Sequence, residues 1–138
     1  MSHSGPDAAM MAAVTKVVRF MATGDDAHLE RAFADSNVTI IENFAPYVFQ
    51  GPDAARQWAR LFKVHASGLA NLEASFGEAH DFSADGDLTY FSLPTTWTGT
   101  TNGQKFSEDG GWAFVLVRQG AEWRVRNYGW AVTHYAAE

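Results

Sequence analysis

The sequence predicts an α+β chain, with helices gathered in the N-terminal half and a curved, largely antiparallel sheet in the C-terminal half. Three observations carry this. Apolar residues recur at three- and four-residue spacing from Met10 through Val14 and Val17 to Met21, the period of one helical face. Beyond Leu69 the chain turns to long runs rich in β-branched and aromatic residues. Those runs are punctuated at Asp85-Gly86, Asn102-Gly103 and Gln119-Gly120, pairs that tolerate the positive φ of tight hairpin turns. Helices segregated from strands in this order cover one face of a bent sheet.

Each element follows in turn. Ser4, Pro6 and Asp7 form a helix start, and Gly24 stops the first helix. Asp25 or Asp26 caps a short second helix with Leu29 and Phe33 on one side. From Val38 to Phe49, VTII and then NFAPYVFQ read as a two-strand element bent at Ala45-Pro46. Gly51-Pro52-Asp53 opens a third helix, because proline tolerates the first helical position, and Ala55, Trp58, Ala59 and Phe62 form its buried face. Gly68 ends it. Three hairpins then join four strands, about Leu69 to Ser83, Asp87 to Thr100, Gln104 to Arg118 and Ala121 to His134. Strands this long curl, and the hollow between helices and sheet is where a small molecule fits.

Composition narrows the function. No linker divides the 138 residues, so one domain spanning 1–138 is expected. Ten basic against sixteen acidic residues give a formal charge of −6, and no Lys or Arg run could track a phosphate backbone, so nucleic acid is not an expected partner. The absence of cysteine removes disulfides, thiolate metal sites and a cysteine nucleophile. The histidines at 3, 28, 65, 80 and 134 lack paired helical spacing, and no phosphate loop or nucleophile elbow stands out, so neither metal nor cofactor is expected. No basic leader precedes an apolar run, and no stretch approaches the ~18 apolar residues of a membrane helix. A cytoplasmic chain without a membrane partner is the expectation.

Among single residues, His65 shares the apolar face of Trp58 and Phe62. It reads either as a proton shuttle or as a ring bonded to helix-end carbonyls. Glu108 and Asp109 sit in Ser107-Glu108-Asp109-Gly110-Gly111, which reads as a bulge or strand entrance. Tyr90, Trp97 and Trp112 line a pocket or fill the core, and a pocket so lined suits a flat, partly apolar ligand. On the last strand, Trp123, Val125, Asn127, Gly129, Ala131 and Thr133 share one face; Arg124, Arg126, Tyr128, Trp130, Val132 and His134 share the other. Tyr128 and Trp130 beside the two arginines predict a homodimer through the sheet face, unless the chain's own termini cover them.

GDDAHLERAFADSNVTIIEN, followed by PYVFQGPDAARQW and a closing GGWAFVLVRQGAEWRVRNYGW, resembles the SnoaL-like and ketosteroid isomerase-like branch of the nuclear transport factor 2-like superfamily over nearly the whole chain. The resemblance implies a cone-shaped barrel, its mixed or antiparallel sheet wrapped around three helices, with the Trp123 face of the last strand turned toward them. It also places the isomerases' carboxylate base on Asn43, in Ile41-Glu42-Asn43-Phe44. An amide takes no proton at neutral pH, so that route lacks a base unless Glu42 turns inward. The isomerases' tyrosine falls near Val17 or Phe20 and their second acid near Trp112 or Phe114, and neither of the latter can donate a strong hydrogen bond to a developing enolate. The cyclases' acid is matched nearest by Glu108 or Asp109. His65, His80 and Asn127 resemble the pocket histidines and asparagine of scytalone dehydratase.

Two function classes follow. One is a module binding a small, partly apolar organic molecule through Asn43, Trp58, Tyr90, Trp112 and Asn127. The other is an enzyme of isomerase, cyclase or dehydratase type acting on a small ring compound, with His65 and Glu108 as catalytic candidates. The enzyme needs an ionisable group facing the pocket. A pure dimerisation domain would instead fill the hollow with its own side chains.

Overall fold

The computed structural model describes residues 5–138. Helix α1 spans Ala8–Thr23; Asp7 caps it by accepting the Met10 amide at 3.0 Å, and Gly24, at φ 74°, ends it in the left-handed region. Met10, Val14, Val17 and Met21 are buried as their spacing predicts, with Ala13, Val18 and Phe20 widening the stripe. Ser4 lies outside the described residues. The expected second helix is only a 3-10 turn, Asp26–Leu29, capped by Asp25. Positive φ at Arg31 then reverses the chain before a second α turn can form, so the described residues hold two α-helices rather than three.

Strands β1 (Thr39–Ile41) and β2 (Val48–Gln50) pair antiparallel about a bend at the cis Ala45-Pro46 bond. Helix α2 runs Ala54–His65 and closes on Ala66, before Gly68. The long strand expected over Leu69 to Ser83 is broken into β3 (Leu69–Phe76) and β4 (His80–Asp85). Between them the Gly77 amide donates to the Pro94 carbonyl at 2.7 Å, and both halves pair with β5 (Leu88–Thr101). β6 (Gln104–Gln119) and β7 (Glu122–Ala137) complete a seven-stranded sheet ordered β2-β1-β7-β6-β5-β3, with β4 also on β5. β1 and β7 run parallel and the other pairs antiparallel, so the sheet is mixed. Gly86, Gly103 and Gly120 all adopt positive φ at the predicted turns.

Helix α1 lies against β7 and β3, and α2 against β1 and β2. Trp58, Phe20, Phe49, Phe91 and Phe114 are the largest fully buried rings. No helix among the described residues is long and apolar enough to cross a membrane.

Strand β7 departs from simple alternation. Leu116 pairs with Val125 but Val115 with Asn127, leaving Arg126 as an extra residue; Asp109 pairs with His134 but Gly110 with Val132, leaving Thr133 as a second. Each bulge advances the alternation by one position. Val125 therefore points into the core, and after Arg126 it is Tyr128 and Trp130 that turn inward, while Asn127 faces out. This corrects the face assignment drawn from strict alternation. It also takes from the outer face the two rings on which the expected sheet dimer rested.

Candidate functional site

A cavity of about 250 Å³ opens between α1, α2 and the sheet. Met21, Phe62 and His65 line it from the helices, and Leu69, Leu72, Trp97, Phe106, Trp112, Trp130 and Tyr135 from the strands. Glu42, Asn43, Thr101 and Glu108 add polar groups to its lining.

Glu42 follows β1, whose parallel register sets Ile40 beside Tyr128 of β7. Its side chain is buried, with 5 % exposed. Trp58 Nε1 donates to Glu42 Oε2 at 3.0 Å, and the Tyr128 hydroxyl donates to the same oxygen. Burial raises the proton affinity of Glu42 above that of an ordinary carboxylate. The bonds from Tyr128, Trp58 and the Asn43 backbone oppose the rise, and the charge of Glu108 adds to it. Tyr128 is held well above the ordinary phenol range, first by burial and then by the neighbouring carboxylate.

Glu108 occupies an inward position of β6, between Trp97 of β5 and Tyr135 of β7 in the register. It is half-buried, and that burial raises its proton affinity. Asp109, one residue on, turns to the opposite face and accepts from Thr96 Oγ1 at 2.7 Å, so the alternation separates the two acids. His65 is the last residue of α2, and its ring stacks on Phe44 with centroids 4.6 Å apart. Burial lowers its proton affinity, which keeps the imidazole neutral at pH 7.

Of the residues singled out from sequence, Asn43, His65, Trp97, Glu108 and Trp112 share this cavity. Trp58 stands behind it, fully buried, and meets its lining through its bond to Glu42 and its ring contact with Phe62. Tyr90 sits on the other face of β5 from buried Phe91 and Leu93, and so lies outside the cavity. Asn127 also lies outside, because the Arg126 bulge turns it outward, where it donates to the Asn37 carbonyl at 3.4 Å. His80 lies on β4, away from the cavity. Val17 and Phe20 are apolar core, and the Trp112 indole N–H is spent on Thr95 Oγ1 at 2.9 Å. Tyr128 and Trp130 were missed, because their inward direction depends on a bulge at Arg126 that no glycine or proline marks.

The arrangement can move protons. Two carboxyl groups with raised affinity and a neutral imidazole, set in a wall of aromatic and aliphatic side chains, can accept or return a proton. No group of three or more His, Cys, Asp or Glu among the described residues is placed to hold a metal.

No family profile matches the sequence, and no curated protein does. Solved structures do. A type 2 hexachlorocyclohexane dehydrochlorinase (LinA) superposes with a TM-score of 0.79 at 10 % identity, over 95 % of this chain and 87 % of that one. A putative scytalone dehydratase from Novosphingobium aromaticivorans gives 0.74 at 8 %, covering 93 % and 84 %. A putative ketosteroid isomerase from Shewanella frigidimarina gives 0.69 at 18 %, covering 91 % and 96 %. The fold is that of the nuclear transport factor 2-like superfamily, to which these neighbours belong, and at such identities the likeness is one of fold.

Proposed function

We propose that this chain binds a small, partly apolar ring compound in its cone-like hollow and moves a proton on it, as an isomerase or an eliminating enzyme does. The observation that carries this is Glu42: a buried carboxylate, lining the cavity, fixed by Trp58 and Tyr128. A base in that setting has lost bulk water and kept its orientation, which favours taking a proton from a carbon next to an electron-withdrawing group. Glu108 or His65 then returns a proton or supplies one to a leaving group. The reading is supported by neighbours on this same fold that are named as a hexachlorocyclohexane dehydrochlorinase, a putative scytalone dehydratase and a putative ketosteroid isomerase. Ile41 and Val48, exposed and cross-paired on β1 and β2, support a homodimer through that edge of the sheet.

A second reading, a binding module without chemistry, is favoured by one feature. Oε2 of Glu42 already accepts two hydrogen bonds, as a purely structural anchor would.

Hydrogen–deuterium exchange in D2O separates the two. Small cyclic ketones incubated with the protein should exchange their activated C–H, and Glu42→Gln, which still accepts from Trp58 and Tyr128 but takes no proton, should slow this by roughly 100-fold or more. Ketones that perturb pocket resonances yet exchange only at the solvent rate would leave the binding module.

A further inference from the structure

The charge of the cavity is one-sided. Glu42 and Glu108 both face it, and among the described residues no lysine or arginine lines it. Lys63, on α2, is engaged elsewhere, with Asp26 at 2.9 Å and over the Phe20 ring. His65 is neutral, for burial lowers its proton affinity. Two carboxylates withdrawn from water without a counter-charge are unfavourable, and the raised proton affinity of both is the expression of that deficit. Trp112 and Trp130 stand in the same wall with ring centroids 4.6 Å apart, and Trp97 and Tyr135 flank Glu108 across the sheet. Ring faces attract a cation through their quadrupole, most strongly where water is excluded.

We propose that the ligand of this cavity is an organic cation, a flat ring bearing a protonated or quaternary amine, with the cationic nitrogen between Glu108 and the Trp112–Trp130 rings. The inference rests on reading the cavity as a small-molecule site, and it divides the labour of the two acids. Glu108, half-buried, pairs with the cation. Glu42, fully buried and held by two donors, stays free to act as base. A neutral or anionic ring would leave both carboxylates uncompensated, and an anion would add repulsion.

The test is a calorimetric titration of the whole protein at about pH 7.5, where carboxylic acids and protonated amines are charged. Benzylamine, benzyltrimethylammonium, benzyl alcohol and benzoate serve as probes of nearly matched shape. The two cations should bind about tenfold or more tighter than benzyl alcohol, and benzoate weakest of all. Glu108→Gln should cut the cations' advantage over benzyl alcohol to about threefold or less. Benzyl alcohol or benzoate binding as tightly as benzylamine overturns the cation inference and leaves the small-molecule reading in place. Binding of none of the four overturns both. Should Glu108→Gln fail to fold, the comparison among probes on the unaltered protein still decides.

Discussion

Replacing Tyr128 by Phe removes one donor from Glu42 and almost nothing else. The ring remains to fill its site against Trp112, Phe114 and Trp58, whose centroids lie 5.2, 5.8 and 5.9 Å away. A hydrogen bond to an ionised acceptor contributes about 1.5–3 kcal/mol, and one between neutral groups about 0.5–1.5 kcal/mol. The penalty of Tyr128→Phe therefore depends on whether Glu42 carries charge. Burial raises the folded-state affinity of Glu42 above the ordinary value of 4.5, so between those two values the folded protein holds the extra proton. The contribution of Glu42 to stability is then favourable at low pH and lost as pH rises through that window. Removing Tyr128's hydroxyl raises the affinity further and extends the window upward. The expected destabilisation is about 2 kcal/mol at pH 7.5 and about 1 kcal/mol at pH 4.5, where more than half of Glu42 is protonated. Urea unfolding followed by fluorescence of the five tryptophans measures the difference at each pH, and other titrating groups cancel between the two proteins. An equal penalty at both pH values, or a larger one in acid, would refute the placement of a charged Glu42 beneath that hydroxyl.

Two further outcomes are expected. A Cβ at Gly110 would lie 2.4 Å from the Ala131 carbonyl oxygen and 2.6 Å from the Trp130 ring, so Gly110→Ala should cost about 1–3 kcal/mol and alter tryptophan emission. At Gly111 a Cβ meets only the Leu93 carbonyl at 4.0 Å, so Gly111→Ala should stay within about 0.5 kcal/mol of the parent; equal effects at the two sites would contradict the packing of Trp130 over Gly110. His65 should titrate below 6.5 in an NMR pH series, because burial disfavours its charged form. The stability linked to its neutral ring is then present above pH 6.5 and lost as pH falls through the folded value; a midpoint at or above 6.5 would mean that the ring does not stack on Phe44 out of water.

Local spacing and local φ were enough to reveal part of this fold. Met10 to Met21 announced α1 through a period that only a helix satisfies, and Asp7 and Gly24 set its ends by capping chemistry. Asn102-Gly103 and its two counterparts fixed the hairpins, since positive φ is affordable at few residues and those pairs supply them. His65 and Trp112 were legible as candidates because each lies on an element whose pattern could be read, whereas Asn43 and Glu108 became candidates through the resemblance to the isomerases and cyclases. What only the tertiary structure decided is the identity of the residues that meet. Two extra residues on β7 shift its side-chain phase, and a phase shift arises from pairing with β6, where Val115 and Leu116 face Asn127 and Val125. That shift turned Tyr128 inward onto Glu42, which the chain separates from it by 86 positions, and turned Asn127 away. A bond over that distance in sequence is formed by the parallel register of β1 on β7, and no local pattern near either residue encodes it.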